Sequence, residues 1–400
     1  MKKIICIVLI LTLFCGCTAT SDSQSESEMN LLLNEKFDTE EELPAYDMQN
    51  QYARFRVACE SEKGYYFKTD RSSFLYFYDK ESEVVGKLCG RLECSHDSPS
   101  CNAYIFDRCG ICYYENKIYF RELDEKLRPI LYAMDPDGTN LHKIQILKSD
   151  LDGTNPMMRI HRGYIYTAVI KNEVKDGENS SRVIVQREIL GQEGAQPVVI
   201  YEEKLETSGY IDFYLQAEGN RLYLLIYNQN TNSEARLTVY VYDTKTGKLD
   251  VVGEETYKDV FVSDFLVQGH TAYIALYKGE DIGYLLSCDL KEKKMGELTQ
   301  ISLGNEFLTP HLLKDIVIGY KGITDPAYYI ADLEGKLIRQ GKLPKVEGQE
   351  EASVALMGQL DEGILFLLSS FTGNPYVETL ILVPLDENEE VRILWQGESV

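Results

Sequence analysis

Three observations in the sequence predict an all-β fold, a seven-bladed β-propeller of four-stranded blades. An apolar run, often rich in Tyr, recurs seven times after a turn that Gly, Asn or Asp can form. A later run ends at an Asp, or once at a Gly, at intervals of 56, 56, 52, 46, 43 and 54 residues. No 3.6-residue periodicity persists for three turns after the N-terminal segment. Four-stranded units of this length are typical of propellers, and six or eight blades are the alternative counts.

The strand that follows each opening turn is the clearest part of the repeat. β-branched and aromatic residues dominate it and suit a pleated, buried strand. The seven runs lie at 64–67, 116–120, 162–166, 219–223, 269–274, 314–318 and 362–366.

The closing position of each unit should form a tight turn. An Asp side chain can accept N–H groups from the backbone that follows it, and Gly can take a positive φ. The seven positions are Asp79, Asp135, Gly191, Asp243, Asp289, Asp332 and Asp386. We expect blade one to use residues 52–89 and blade seven residues 352–397, each with its own four strands. Completion of blade seven by an N-terminal strand is the alternative.

The segment at 132–140, Tyr-Ala-Met-Asp-Pro-Asp-Gly-Thr-Asn, resembles the repeat of TolB-like propellers and of LDL-receptor-type propellers. This resemblance covers the folded region as a weak pattern and implies the propeller fold. A related acidic motif at 150–155 should be a plain turn, because it lacks the length and the closing Glu of an EF-hand calcium loop.

The N-terminus has the layout of a signal peptide. Lys2 and Lys3 precede the apolar run Ile4–Phe14, which is too short to span a bilayer as a helix. Residues 1–16 are therefore predicted to be removed. The segment 14–17, Phe-Cys-Gly-Cys, resembles a bacterial lipobox, which implies acylation of Cys17, for example with palmitate.

Lipidation would hold the protein on the outer face of the bacterial cytoplasmic membrane, or in the outer membrane of a diderm cell. Ordinary cleavage into a soluble secreted protein is the alternative. Residues 17–45 are polar and rich in Ser and Glu, and are predicted to be a disordered tether after the lipidated Cys17. Residues 46–400 are predicted to form a single propeller domain.

The charge of the chain limits its partners. Sixty-four acidic residues against 41 basic ones give a formal net charge of -23. Such a chain repels phosphate backbones, so we expect no nucleic-acid partner and no second contact with anionic lipid. A monomer is expected, and an envelope protein or a glycan is the expected class of partner.

A Cys/His-rich insertion at 88–112, between blades one and two, is the chemically densest part of the sequence. Cys89, Cys94, His96 and Cys101 lie within thirteen residues. Three thiolates and an imidazole can complete a tetrahedral structural zinc site. Disulfides are the second interpretation, because the predicted location is oxidising. The third is a redox site that uses the Cys-x-x-Cys of Cys109 and Cys112, which are additional candidate thiols.

The number and positions of the other cysteines limit these three interpretations. With Cys17 lipidated, seven cysteines remain in the mature chain, so disulfides alone leave one thiol unpaired. Cys59 and Cys288 lie in predicted strands and should be small buried apolar residues. The segment 88–103 resembles one found in surface lipoproteins of Gram-positive anaerobes whose function is uncharacterised, and this resemblance implies no activity.

The sequence holds no familiar catalytic motif. Nucleophile elbows, His-Glu-x-x-His, phosphate loops and dinucleotide fingerprints are all missing. No catalytic residue is predicted, since His142, His161, His270 and His311 are scattered over separate units. The predicted function is therefore a membrane-anchored extracytoplasmic binding module. A propeller glycan hydrolase or lyase is the first alternative, and an assembly scaffold at the cell envelope is the second.

Overall fold

The computed structural model describes residues 58–69, 72–105, 110–149, 154–175, 178–205, 209–278, 282–301, 309–321, 326–347, 349, 351–370 and 376–399. The signal segment, Cys17 and the tether lie outside the described residues. Strands make up all the regular structure within these ranges, numbered β1 to β29. Accordingly, these ranges hold no helix of the length and apolar character that a membrane span requires.

Blade one is formed by β1 (Ala58–Glu60), β2 (Gly64–Lys68), β3 (Leu75–Asp79) and β4 (Val85–Lys87), and blade two by β5 (Cys112–Tyr114), β6 (Lys117–Leu123), β7 (Pro129–Met134) and β8 (His142–Ile146). Blade three is formed by β9 (Thr154–His161), β10 (Tyr164–Lys175), β11 (Glu178–Ile189) and β12 (Val198–Leu205). Blade four is formed by β13 (Tyr210–Glu218), β14 (Arg221–Gln229), β15 (Glu234–Asp243) and β16 (Leu249–Lys258).

Blade five is formed by β17 (Phe261–Gln268), β18 (Thr271–Lys278), β19 (Ile282–Asp289), β20 (Lys294–Met295) and β21 (Thr299–Ile301). Blade six is formed by β22 (Thr309–Leu313), β23 (Ile316–Lys321), β24 (Ala327–Asp332) and β25 (Leu337–Lys342). Blade seven is formed by β26 (Ala352–Gln359), β27 (Gly363–Ser370), β28 (Tyr376–Pro384) and β29 (Arg392–Ser399).

Neighbouring strands of each blade pair antiparallel in chain order, so each blade is a meander. In the fifth blade the outer strand is split, and β20 and β21 both pair with β19. The blades form one ring, which confirms the predicted seven-bladed propeller and excludes six or eight blades.

The second strand of a blade lies inside its sheet, with a neighbouring blade packed on each face. Every residue of β2 and of β27 is buried, in contrast to the outer strand β25, which is largely exposed. Strands covered on both faces read as continuous apolar runs rather than as an alternating pattern. The repeat is therefore visible in the sequence as an apolar run after each opening turn.

The closing turns follow the predicted chemistry except at Asp135, whose carboxylate accepts from the side chains of Lys117 and Asn140. The Oδ1 of Asp79 accepts the backbone N–H groups of Glu81 and Ser82, at 3.0 and 2.8 Å. Asp243, Asp289, Asp332 and Asp386 make the same type of turn. Gly191 takes a φ of 81°, as expected for the glycine at the equivalent position.

Within the described residues, the ring closes between blades seven and one without an exchanged strand. The described strands of blade one run from 58 to 87, and the sheet of blade seven is built entirely from 352–399. Side chains join the two blades: Tyr65 Oη donates to the carbonyl of Gln359, and Phe67 packs in one apolar cluster with Leu365. The prediction that each blade has its own strands is confirmed.

Candidate metal centre between blades one and two

The Cys/His-rich insertion begins after β4 and is folded back onto blade one. The N–H of Leu88 donates to the carbonyl of Leu75 at 2.9 Å, and the N–H of Leu75 donates to the carbonyl of Ala103 at 2.7 Å. Both ends of the insertion are therefore fixed at the first residue of β3. This arrangement brings Cys89, next to Leu88, close to Cys101, two residues before Ala103.

The four predicted ligands meet at this point. One ligand atom from each of Cys89, Cys94, His96 and Cys101 lies within 4.8 Å of all the others. The Sγ of Cys101 lies 3.6 Å from Nδ1 of His96. A tetrahedral zinc ion with Zn–S of ~2.3 Å and Zn–N of ~2.0 Å sets its ligand atoms about 3.6 to 3.8 Å apart. The ligand types fit zinc, and the distance between Cys101 and His96 matches the tetrahedral spacing.

The backbone of the loop is held in the shape that the ligands need. His96 has a φ of 55°, in the left-handed region that costs a residue with a Cβ roughly 1 to 2 kcal/mol. Lys87 Nζ donates to the His96 carbonyl at 2.7 Å, and Arg91 Nη1 donates to the Ser100 carbonyl at 2.6 Å. Strain that is held by such contacts is typical of functional positions.

The thiols differ in their acidity. Burial acts to raise the pKa of Cys89, but hydrogen bonds from the backbone of Arg91 and Asn102 and from the thiols of Cys101 and Cys94 outweigh it, so this pKa is lowered. Burial raises the pKa of Cys101, and its hydrogen bonds with Cys94 and Cys89 add to the rise. The cluster therefore favours a thiolate at Cys89, and a bound cation would favour thiolates at the other two cysteines as well.

The loop is also attached to blade two. Asn102 Nδ2 donates to the carbonyl of Gly138 at 2.8 Å. A Cβ on Gly138 would lie 2.6 Å from the carbonyl oxygen of Leu88 and 2.8 Å from Cα of Cys89. A Cβ on Gly90 would lie 2.8 Å from the carbonyl oxygen of Asp137. The insertion therefore joins the outer strand of blade one to the β7–β8 turn of blade two.

The remaining predicted thiols lie elsewhere. Cys112 is buried in β5, with its Sγ 3.7 Å from the carbonyl of Met158. Cys109 lies outside the described residues. Cys59 and Cys288 are buried in apolar clusters, as predicted. Among the described cysteines, Cys59, Cys89, Cys94, Cys101 and Cys288 are free thiols.

The scattered histidines have different surroundings. His142 and His270 are exposed, whereas His161 is fully buried with Nε2 2.7 Å from the carbonyl of Gly219 in blade four. His311 stacks on Tyr320, with ring centroids 5.0 Å apart, and its Nδ1 lies 3.8 Å from the buried Asp264 carboxylate. This carboxylate neighbour could not be predicted from the sequence.

Sequence reasoning singled out the four residues that cluster, but missed the residues that hold their loop in place. Lys87, Leu75 and Asn102 carry no local motif, because their roles depend on contacts between β3, the insertion and blade two. The Asp-Gly sequence of the turn predicts a positive φ at Gly138, but nothing in the sequence predicts that Gly138 lies against the backbone of Cys89.

Comparisons with known proteins support the fold and go no further. No family model matches the chain, and no curated protein sequence does either. Among solved structures, a prolyl endopeptidase matches 96% of this chain with a TM-score of 0.53 and 14% identity. The chain spans 56% of that endopeptidase, so it corresponds to about half of the longer protein.

Two further solved structures match a large part of this chain. A polysaccharide lyase of the ulvan lyase family PL25 matches 86% of this chain and 96% of its own, with a TM-score of 0.54 and 10% identity. TolB from Acinetobacter baumannii matches 82% of this chain and 71% of its own, with a TM-score of 0.38 and 12% identity. At these identities the similarity concerns the fold alone.

Proposed function

We propose that this propeller is a lipid-anchored binding module of the cell envelope, in which a structural zinc ion holds the loop that contacts both of the first two blades. The observation that carries the proposal is the set of four ligand atoms, from Cys89, Cys94, His96 and Cys101, within 4.8 Å of one another. Its position favours a structural role, because the loop that carries it is bonded to Leu75 of blade one and to Gly138 of blade two.

The number of ligands argues against metal-dependent hydrolysis. Catalytic zinc sites have three protein ligands and keep a fourth position for water or substrate. Three thiolates and one imidazole fill a tetrahedral ion completely. The centre would therefore stabilise the surface between blades one and two, and leave recognition to the loops and clefts of the propeller.

Metal analysis of the purified full chain tests the zinc centre. We expect one zinc ion per chain, lost on Cys94→Ser and on His96→Asn. Asn tolerates the left-handed backbone that His96 adopts, so this variant removes the imidazole with little backbone cost. His142→Asn is the matched control, because His142 is exposed and lies outside the cluster. Protein without metal, and with disulfides among Cys89, Cys94 and Cys101, would refute the centre.

The lipid anchor is supported by the segment 14–17. Acylation at Cys17 would hold the propeller on the outer face of the membrane through the polar tether at 17–45. In cells, Cys17→Ser should abolish acyl labelling and move the protein out of the membrane fraction. Cys15→Ser should change neither property. Equal membrane retention of both variants would contradict the assignment.

A second candidate function is a propeller glycan hydrolase or lyase, and one contact favours it. His311 Nδ1 lies 3.8 Å from the buried carboxylate of Asp264, so the two groups would have to move closer on substrate binding for Asp264 to orient the imidazole for proton transfer. Turnover of cell-wall or host glycans that is lost in His311→Gln would establish this candidate. Binding without turnover, unchanged in that variant, would exclude it.

A further inference from the structure

An open cleft of about 820 Å³ separates blades one and two on the face that carries the tight turns. Its walls come from the β1–β2, β3–β4, β5–β6 and β7–β8 turns, and from Leu88 and Cys89. These two residues begin the loop of residues 88–103 that carries the candidate zinc ligands, called the metal loop below. Ligand sites in proteins commonly measure about 300 to 1,000 Å³, so the cleft is large enough for a small ligand.

The charged groups in the cleft are mixed and nearly balanced. Three lysines and four acidic residues line it, a formal sum of 3 − 4 = −1, although the whole chain carries -23. The amines belong to Lys63, Lys87 and Lys117, and the carboxylates to Asp79, Glu115, Asp135 and Asp137. A strongly anionic or strongly cationic ligand would meet as much repulsion as attraction here.

Several of these groups are held in fixed positions. Lys117 Nζ lies 2.8 Å from Asp135 Oδ1, and the Oδ1 of Asp137 accepts hydrogen bonds from the N–H and hydroxyl of Thr139 at 2.9 and 2.6 Å. Asn116 adds an exposed amide at a backbone φ of 57°. The cleft therefore offers donors and acceptors side by side on short, rigid turns.

An apolar strip lies beside the polar groups. Phe77 is partly exposed and stacks on Tyr66, with ring centroids 4.7 Å apart and an interplanar angle of 28°. Val84, 60% exposed, and Leu88 continue the strip. An extended apolar ligand would bury the neighbouring amines and carboxylates without hydrogen-bond partners, which is unfavourable.

We infer that this cleft binds a neutral oligosaccharide. Sugar hydroxyls both donate and accept, so they can satisfy the amines, the carboxylates and the Asn116 amide together. The less polar C–H face of a sugar ring can pack on the strip of Phe77, Val84 and Leu88. The inference rests on the proposed binding function and names the class of ligand.

The metal loop forms part of the same cleft. Cys89 is a candidate zinc ligand and also lines the cleft, and Leu88 next to it belongs to the apolar strip. A bound ion would fix this wall, so loss of the ion should weaken sugar binding even though the sugar does not contact the metal.

The test uses the full chain and an array of short neutral oligosaccharides of glucose, mannose and N-acetylglucosamine, with sulfated and uronate-containing sugars beside them. Binding of a neutral sugar is then measured by calorimetry. Val84→Arg places a long side chain in the cleft and should weaken binding at least about tenfold. Val251→Arg, at a residue of β16 that is 50% exposed and outside the cleft, is the control and should bind like the wild type.

A second variant removes one polar contact without filling the cleft. Asn116→Gly keeps the positive φ and should weaken binding roughly three- to tenfold. Wild-type affinity in both cleft variants would overturn the inference, as would preference for the anionic sugars. A protein or peptide ligand that Val84→Arg excludes would overturn the sugar assignment but keep the binding function. If no array member binds while the chain retains zinc, the inference fails and the metal centre stands.

Discussion

The side-chain amide of Asn102 donates to the carbonyl of Gly138 at 2.8 Å, and so connects the metal loop of blade one to the β7–β8 turn of blade two. Gly138 has a φ of 78°, and its Cα faces the backbone of Leu88 and Cys89 without a side chain between them. The first position of the metal loop is therefore set by contact with a different blade.

We predict that Gly138→Ala destabilises the protein and weakens zinc binding. The new Cβ would lie 2.6 Å from the Leu88 carbonyl oxygen and 2.8 Å from Cα of Cys89, and both are backbone atoms that cannot rotate away. The positive φ adds roughly 1 to 2 kcal/mol. Thermal unfolding and competition for zinc with a chelator would measure the two effects.

The variant Gly191→Ala separates the steric contact of the new Cβ from the cost of a positive φ. Gly191 has a similar φ of 81°, but its Cβ would have no atom within 4 Å. This variant should show the backbone cost alone and keep its zinc affinity. Equal zinc affinity in the two variants would show that contact with blade two does not position Cys89.

Thiol reactivity should distinguish the loop from the core. In metal-free protein near pH 8 we expect iodoacetamide to modify Cys89 first. Its pKa is lowered because hydrogen bonds to the sulfur outweigh burial, whereas burial, with a smaller contribution from the Asp289 charge, raises the pKa of Cys288 to about 11. The thiolate is the reactive form. Peptide mass spectrometry over time would rank the sites, and addition of zinc should protect Cys89 while leaving Cys288 unchanged.

Local features made the fold predictable. The runs after each opening turn and the Asp at each closing turn depend on residues close together in sequence, as the bonds of Asp79 to Glu81 and Ser82 show. The four candidate metal ligands could also be proposed from the sequence, because they lie within thirteen residues. Their meeting could not be predicted, since it depends on Leu75 and Gly138, which lie well before and well after the ligands in sequence. The cleft likewise depends on the packing of two blades and leaves no local pattern.

Acid should destabilise the closing turns. The pKa of Asp79 is lowered by the N–H and then the hydroxyl of Ser82, that of Asp135 by Lys117 and Asn140, and that of Asp386 by Asn388. A folded-state pKa below the unfolded value, about 3.9, stabilises the native state fully above that value. The stabilisation is lost as the pH falls through the folded pKa values. We therefore expect the melting temperature to fall as the pH drops below about 4.

A pair of variants at one turn tests this cause. Asp79→Asn keeps an acceptor for the N–H groups of Glu81 and Ser82 but has no carboxylate to titrate, so the melting temperature should depend less on pH. Glu81→Gln removes an exposed carboxylate whose residue supplies only its backbone N–H to the turn, and should leave the dependence unchanged. Identical acid profiles for wild type and Asp79→Asn would contradict the assignment.

Side chains join blades seven and one, which exchange no strand in the part of the chain that the structure describes. The buried hydroxyl of Tyr65 donates to the Gln359 carbonyl, and the ring of Tyr65 packs where a Cβ on Gly358 would lie 2.4 Å away. Tyr65→Phe should therefore lower the free energy of unfolding by about 1 to 3 kcal/mol, since it leaves a buried carbonyl with one bond fewer. Tyr113→Phe is the control, because its hydroxyl makes an exposed bond to Asn116 at 3.3 Å. Urea unfolding would compare the variants. If the two variants lost the same free energy of unfolding, the apolar cluster around Phe67 and Leu365 would be sufficient to close the ring.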